Sequence, residues 1–502
     1  MTTVKDTTRA GVREWAGLAV LAMPTVLLAL DISVLHLAVP HLAADLAPSG
    51  TQLLWIMDVY AFMIAGFLVT MGSIGDRIGR RRLLMIGAAA FGLASVLAAY
   101  STSPAMLIAT RALLGVAGAT LMPSTLALLG TMFKDPRQRG VAVSVWMTAF
   151  TGGTAIGPLI GGVLLERFWW GSAFLIGVPV MVLLLVLAPV LLPESKDPRP
   201  GRVDLVSVAL SLAAVLPIVY GVKELAKGGL SAPSLLAMAV GAAIGVWFVR
   251  RQRTLAVPLV DLRLFRERGF AAVLVIMLLA VTTSGGLLMM TAQYLQLVSG
   301  LSPLTSGLWL LPSTLAMIVG TLLTPALARL VPTGRLVGAG LVLAAAGYLS
   351  LVVADGTPMV AVAGLGVSLF GLAPMMVLGT DLVIGLAPPE QAGAASAMSE
   401  TSGELGNALG IALFGSIGTA VYQAFVTVPE GTPGPAAAAA TESLPAAATA
   451  AQTLPGQAGA ELLEAARQAF MTAFSVAGTV GAGLALALAA LAFTALRHLT
   501  KR

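Results

Sequence analysis

The chain has 502 residues, of which 58% are hydrophobic and only 10% charged, against about 25% charged in a soluble domain. That balance excludes a soluble globular fold and reads as one polytopic membrane unit. The chain has no cysteine, which excludes disulfides, thiolate metal sites and thiol nucleophiles. Its three histidines (His36, His41, His498) are too scattered for a usual metal site, so neither metal nor cofactor is expected. The formal charge of +6 is no sign of nucleic acid, because the cations sit in short loops between apolar stretches.

A spanning helix needs ~20 mostly apolar residues. Fourteen such stretches follow in order: 15–40, 52–72, 83–101, 104–128, 139–165, 171–192, 204–222, 232–250, 270–294, 304–326, 336–354, 358–386, 392–425 and 467–496. Bilayers admit only helices or closed barrels, and the short alternating segments of a barrel are missing. The fold class is therefore an all-α polytopic bundle. The first stretch is long and carries Asp31 in its middle, which fits a retained helix better than a cleavable leader.

Between the second and third stretches lies a dense basic turn, Gly72-Ser-Ile-Gly-Asp76-Arg77-Ile-Gly79-Arg80-Arg81-Arg82. With the N-terminus inside, 24 of the 29 lysines and arginines fall on the inner side. Only Arg167, Lys223, Lys227 and Arg467 lie outside, and Arg111 lies within the membrane. This bias predicts a cell-membrane protein with both termini cytoplasmic.

The stretch Pro325-Ala-Leu-Ala-Arg329-Leu-Val-Pro-Thr-Gly334-Arg335 is a worn echo of the basic turn, again after the second helix of a six-helix set. Parallel repeats of this kind predict an N-terminal half at 1–192 and a C-terminal half at 269–502. Two extra helices and their cytoplasmic linkers would occupy 193–268. The Ala-, Pro-, Gly- and Thr-rich segment at about 427–466 is expected outside, as a flexible cap or hairpin whose composition cannot build a core. Glu461-Leu-Leu-Glu-Ala-Ala-Arg-Gln reads as a short helix leading into the last span.

The basic turn resembles the loop between helices two and three of the major facilitator superfamily of secondary transporters. Leu30-Asp31-Ile-Ser-Val-Leu-His-Leu-Ala-Val-Pro40 resembles the first-helix motif of drug:proton antiporters. Leu107-Ile-Ala-Thr-Arg111-Ala-Leu-Leu-Gly115-Val-Ala-Gly118 resembles their fourth-helix motif, with Leu114 in place of the usual Gln. Gly153-Thr-Ala-Ile-Gly157-Pro158-Leu-Ile-Gly161-Gly162 resembles the fifth-helix antiporter motif. Trp55-Ile-Met-Asp58-Val-Tyr60 and Ser399-Glu400-Thr-Ser-Gly-Glu404-Leu-Gly406-Asn407 are similar to stretches of the fourteen-helix quaternary-ammonium and multidrug efflux pumps. The resemblance implies a monomeric, proton-coupled antiporter in the lipid bilayer that exports lipophilic cations. No acid lies between Ser302 and Ala328, where some relatives carry one, so mainly monovalent cations are implied.

The residues give the same picture independently. An ionised side chain at the bilayer centre costs at least ~2.5–3.5 kcal/mol, so each intramembrane acid is a functional hypothesis. Asp31, with Arg111 in the same half, is a candidate proton carrier, since an arginine favours the ionised carboxylate; a static salt bridge is the bland alternative. Asp58 sits beside Trp55 and Tyr60, and a carboxylate amid aromatic faces suits a lipophilic cation. Glu400 and Glu404 are one turn apart and share a helix face, giving a pair for proton coupling, with Glu400 also facing substrate. Trp146, Phe150, Met289, Tyr294 and Trp309 are candidate cavity walls, with packing as the rival role. Gly153, Gly157, Pro158 and Gly161 read as a hinge or seal. Gly72, Asp76, Arg77, Gly79, Arg80 and, near the inner end of its helix, Asp381 read as gating residues.

No Gly-x-x-x-x-Gly-Lys-Ser/Thr motif offers ATP, and no clustered nucleophile and base offers enzyme chemistry, so the drive is a proton gradient. The alternatives are export of an endogenous metabolite, antibiotic or peptide and, outside transport, a membrane sensor or scaffold, against which the intramembrane acids argue. Single cysteines at positions 80, 260 and 440 test the topology with an impermeant maleimide on intact cells. The first two are expected to stay unlabelled and the third to react; the reverse pattern overturns the orientation.

Overall fold

The computed structural model describes residues 9–48, 50–196, 204–228, 231–255, 258, 262–301, 303–354, 357–388 and 391–497, without some side chains in those ranges, those of Asp58 and Pro158 among them. These residues form seventeen α-helices. The first seven are α1 (Val12–Leu46), α2 (Gly50–Ile78), α3 (Arg80–Ala99), α4 (Pro104–Met132), α5 (Pro136–Arg167), α6 (Ser172–Leu175) and α7 (Gly177–Leu191). Then come α8 (Leu205–Gly228) and α9 (Ala232–Thr254). The rest are α10 (Arg268–Gln293), α11 (Pro303–Leu330), α12 (Thr333–Ser350), α13 (Pro358–Leu386), α14 (Ala392–Phe425), α15 (Gly434–Glu442), α16 (Leu444–Thr453) and α17 (Gln457–Ala495). Among the described residues, thirteen helical spans are long and apolar enough to cross a membrane, α6 and α7 together forming one. The shorter apolar run Val206–Ile218 in α8 stands at the remaining expected position. The all-α polytopic class follows directly.

Local chemistry sets the helix starts. Ser103 caps α4 by accepting from the Met106 amide at 3.2 Å, Asp135 caps α5, and each cap precedes a proline at the first helical position. Ser231 and Ser234 form a reciprocal capping box at α9.

Packing repeats. α1 lies on α5, α2 on α4, and α3 on α4 and α7; correspondingly α10 lies on α14, α11 on α13, and α12 on α13 and α17. Between the two sets, α2 and α4 meet α14, while α11 and α13 meet α5, the same pattern with the sets exchanged. Small residues allow the close crossings: a Cβ on Gly153 would sit 2.8 Å from the Val26 carbonyl, so α5 closes on α1 only with glycine there.

α8 and α9 pack chiefly on each other, and α8 also touches α2 and α14 at one flank of the seam between the sets. The Thr70 and Ser211 hydroxyls meet at 3.3 Å between α2 and α8. The α8–α9 pair is tied at the end bearing the basic turn. Asp204 accepts from the Ser207 hydroxyl at 2.7 Å and from Arg251 at 2.8 Å, and Gln252 donates to Ser207 at 2.7 Å.

The segment read as a flexible cap or hairpin forms the helical hairpin α15–α16. Alanine is the best helix former, Pro435 and Pro445 sit in the first turns, and Ser443 caps α16. Ala436, Ala440, Leu444 and Ala447 are buried, α16 packs on α17, and Tyr422 donates to the Ala440 carbonyl at 2.7 Å. A composition too small-sided to form its own core still packs as a sleeve on an existing one. The helix expected near Glu461 is the start of α17, which runs unbroken from Gln457.

The Ser207 hydroxyl first, and then Arg251, hold the Asp204 carboxyl below the usual carboxylate range. A carboxyl depressed on folding contributes stability above its unfolded pKa, ~3.9, and loses it as pH falls through its folded value. The melting-temperature difference between wild type and Asp204→Asn should therefore be flat from neutral pH to about pH 5 and shrink only in stronger acid. A difference that disappears near neutral pH would contradict this assignment.

Candidate functional site

α1, α2 and α4 build the centre of the site. Arg111 on α4 is 1% exposed, and its Nη1 lies 2.5 Å from Asp31 Oδ2 on α1. Its Nε donates to the Ile56 carbonyl at 3.3 Å, and its guanidinium lies 4.5 Å from the Tyr60 ring centroid and 5.8 Å from that of Phe174. An always-charged group in the bundle interior thus has a counter-ion and two aromatic faces. Tyr60 fits because α4 is notched beneath it: a Cβ on Gly115 would be 2.5 Å from the Tyr60 carbonyl oxygen.

α14 supplies the facing side. Glu404 is an electrostatic neighbour of Tyr60, and Glu400, one turn earlier, of Glu404. Glu400 is partly exposed and makes no hydrogen bond or ion pair among the described residues. Beside it Ser399 is buried and its hydroxyl lies 3.7 Å from the Met277 sulfur, while the Thr401 hydroxyl is buried without a hydrogen-bond partner. The structure thus brings Asp31, Arg111 and Tyr60 together, while α14, which carries Glu400 and Glu404, packs on α2 and α4. Asp58 lies on α2, two residues before Tyr60, and its side chain is outside the described residues.

The basic turn makes a second constellation at one end of the bundle. Gly79 has φ +109°, a left-handed value that favours glycine, and turns the chain from α2 into α3. Asp76 Oδ1 takes Arg80 Nη2 at 2.6 Å and Nε at 2.8 Å, and Arg80 reaches on to the Ala127 carbonyl of α4 at 3.3 Å. Asp76 Oδ2 accepts the Ala394 amide at 3.0 Å, a carboxylate at the N-terminus of α14. Arg139 at the start of α5 pairs with Asp381 near the end of α13. Both links join the two helix sets. Arg139 had drawn attention only as a topological charge, and nothing in the sequence pointed to the Ala394 amide. Arg81 binds the Pro189 and Leu192 carbonyls, at 3.3 and 3.0 Å. Arg77 and Gly72 lie on the last turns of α2, Gly72 buried.

The remaining candidates are dispersed. Trp146 is fully buried and donates to the Thr125 hydroxyl at 3.2 Å, and Tyr294 is buried with its ring stacked 5.0 Å from that of Phe474. Both are buried in helix packing in this conformation. Phe150 and Met289 pack partly buried against the cores of their own halves. Trp309 lines an apolar cavity of about 710 Å³ between α11, α12 and α13, with Leu308, Met359 and Phe370. That cavity includes no residue of α1, α2, α4 or α14, so Trp309 stands apart from the central acids. Trp55 is exposed, its ring 6.0 Å from Phe62. Gly157 and Gly161 are buried on α5, and the Pro158 side chain is outside the described residues.

The family description "Major Facilitator Superfamily" matches residues 21–411. The chain belongs to the Major Facilitator Superfamily. It is thus a multi-pass membrane protein of a transporter family, not an enzyme. It is 44% identical over 496 residues to the multidrug efflux pump LfrA of Mycolicibacterium smegmatis, with 98% of each chain covered. It is 36% identical over 485 residues to the methyl viologen resistance protein SmvA of Salmonella typhimurium, covering 95% of this chain and 97% of that one. The tetracenomycin C resistance and export protein of Streptomyces glaucescens is 34% identical over 411 residues, 80% and 76% of the two chains. The human organic anion transporter MFSD10 shares the fold, with a TM-score of 0.61 at 16% identity over 95% of this chain and 99% of that one.

The buried Asp76–Arg80 pair is open to a stability test. Asp76→Leu leaves the Arg80 guanidinium buried without its carboxylate, a defect of about 3–5 kcal/mol. The Asp76→Leu/Arg80→Leu double variant should recover most of the lost thermal stability in detergent. Equal losses for the single and double variants would show that the pair carries no such weight.

Proposed function

We propose that this superfamily member is a proton-coupled antiporter that exports lipophilic, mainly monovalent cations by alternating access. The observation that carries the reading is the Asp31–Arg111 pair, buried between α1 and α4 of one helix set, with α14 of the other set, which carries Glu400 and Glu404, packed on α2 and α4. Deprotonated Asp31 binds Arg111; protonated, it releases that charge, so proton occupancy changes what holds the central helices together. Glu400, partly exposed and without a hydrogen-bond partner among the described residues, is placed to balance a bound cation, with Asp58 as the second candidate. Similarity to relatives named for multidrug efflux and methyl viologen resistance supports export of such compounds. The second reading, export of a self-made metabolite, draws support from the similarity to the tetracenomycin C exporter.

The lysine and arginine bias places the basic turn in the cytoplasm. With Asp76 on the Ala394 amide and Arg139 on Asp381, the cytoplasmic end is then closed, as an outward-facing state requires. Proton entry from outside would discharge Asp31, loosen the central contacts and let the halves rock open toward the cytoplasm.

In inside-out vesicles energised with a pH gradient, added ethidium or tetraphenylphosphonium should trigger proton release and be accumulated. Asp31→Asn should reduce both to the level of vesicles lacking the protein, while the variant still reaches the membrane. Uphill accumulation by Asp31→Asn would remove Asp31 as the essential proton carrier. A wild type that moves only an uncharged aromatic metabolite would favour the second reading.

A further inference from the structure

We propose that Tyr60 is a positioning residue that transmits the state of the Asp31–Arg111 pair to Glu404 in the opposite half, its ring holding Arg111 and its hydroxyl reserved for a Glu404 carboxylate oxygen. This rests on the proton-coupled reading above and assigns Tyr60 a role distinct from substrate contact.

Three features of its surroundings support this. Tyr60 is 1% exposed, so its ring is covered and its face is given to the Arg111 guanidinium, 4.5 Å from the centroid. Its hydroxyl oxygen is buried and has no hydrogen-bond partner among the described residues, a costly arrangement unless a partner is supplied. The side chain also lies in a seat built for it. Gly118 faces the Tyr60 hydroxyl, 3.5 Å from where a Cβ would stand, and Gly115 lets α4 press on the Tyr60 backbone. Among the described residues, the charged groups that act electrostatically on Tyr60 are Asp31, Arg111 and Glu404, from α1, α4 and α14, and α14 packs on α2.

These three groups give that hydroxyl a use. While Asp31 is ionised it neutralises Arg111 directly. When Asp31 takes a proton, Arg111 loses its counter-ion but remains on the Tyr60 face. The nearest remaining anion in this set is then Glu404, across the seam. A Tyr60 hydroxyl that donates to Glu404 stabilises that carboxylate beside Arg111, so the charge relinquished by one half is balanced by the other. No bond is made or broken; one proton on Asp31 exchanges an intra-half ion pair for a contact between halves. A buried donor with no partner among the described residues suits such an exchange better than one already bonded.

The test is a double-mutant cycle on substrate-triggered proton release in vesicles, with equilibrium binding of tetraphenylphosphonium measured in parallel. Tyr60→Phe keeps the ring and removes the hydroxyl. It should slow proton release by about tenfold, the effect of one hydrogen bond to a charged group, and leave binding within about twofold. Glu404→Gln should slow release similarly, and the double variant no more than the slower single variant, the signature of a shared interaction. Tyr60→Leu, which also removes the aromatic face from Arg111, should be slower still. Independent, multiplicative losses from Tyr60→Phe and Glu404→Gln, or wild-type release in Tyr60→Phe, overturn the proposal while the antiport reading stands. Absence of proton release in the wild type overturns both. If Tyr60→Phe does not reach the membrane, 3-fluorotyrosine at position 60 acidifies the hydroxyl with almost no change of shape; an unchanged release rate then overturns the proposal.

Discussion

A guanidinium enclosed in a membrane-spanning bundle must be neutralised where it stands, because it cannot shed its charge and has no water to share it with. Arg111 is such a group, and much of the centre of this molecule is arranged around it. α1 must bring Asp31 to within 2.5 Å, α2 must offer a carbonyl and an aromatic face, and α4 must be notched with glycine so that Tyr60 can lie close. α5 must in turn close on α1 through Gly153, a turn or less from Asp31. The same constraint makes the site responsive. An ion pair in low dielectric is stiff when intact and expensive when broken, so on the proposed proton-coupled reading a proton added to Asp31 would change the preferred arrangement of several helices at once.

The two helix sets communicate at two depths. At the centre, α2, which carries Tyr60, packs on α14, which carries Glu404. At the end carrying the basic turn, the Asp76–Ala394 and Arg139–Asp381 contacts clip α2 to α14 and α5 to α13. α14 belongs to both, with Ala394 in its first turn and Glu400 and Glu404 one to three turns further along. A rigid helix carrying both contacts can convert a change at the carboxylates into release or capture of its own N-terminus. α8 leans on α2 and α14 at the seam, so any rocking of the halves must also slide along α8.

The fold was largely legible in the sequence, because each span announces itself by length and apolarity and the basic turn fixes its end of the bundle. Asp31 and Arg111 were legible as a pair, since two opposite charges in neighbouring apolar stretches have few other partners. What each helix faces was not. A span that is apolar all round carries no stripe to mark its inner side, so the sequence left Trp146 and Tyr294 open between cavity wall and packing, and here both are buried between helices. Contacts between halves were hidden for a related reason: the Ala394 amide is a backbone group with no sequence signal, and Arg139 looked like one more topological cation. That the α15–α16 hairpin is helical and packed was not legible, because small residues fail to make a core of their own but do well as a coat on α17.

The central claim is that the charge state of Asp31 governs closure of the basic end. Spin labels on cysteines replacing Arg82 on α3 and Arg335 on α12, both exposed and on opposite helix sets, report that closure in a chain with no native cysteine. Pulsed electron resonance at alkaline pH should give one short separation, and Asp31→Asn or acid should add a longer population. A distribution that Asp31→Asn leaves unchanged, or shifts toward shorter separation, would contradict the claim.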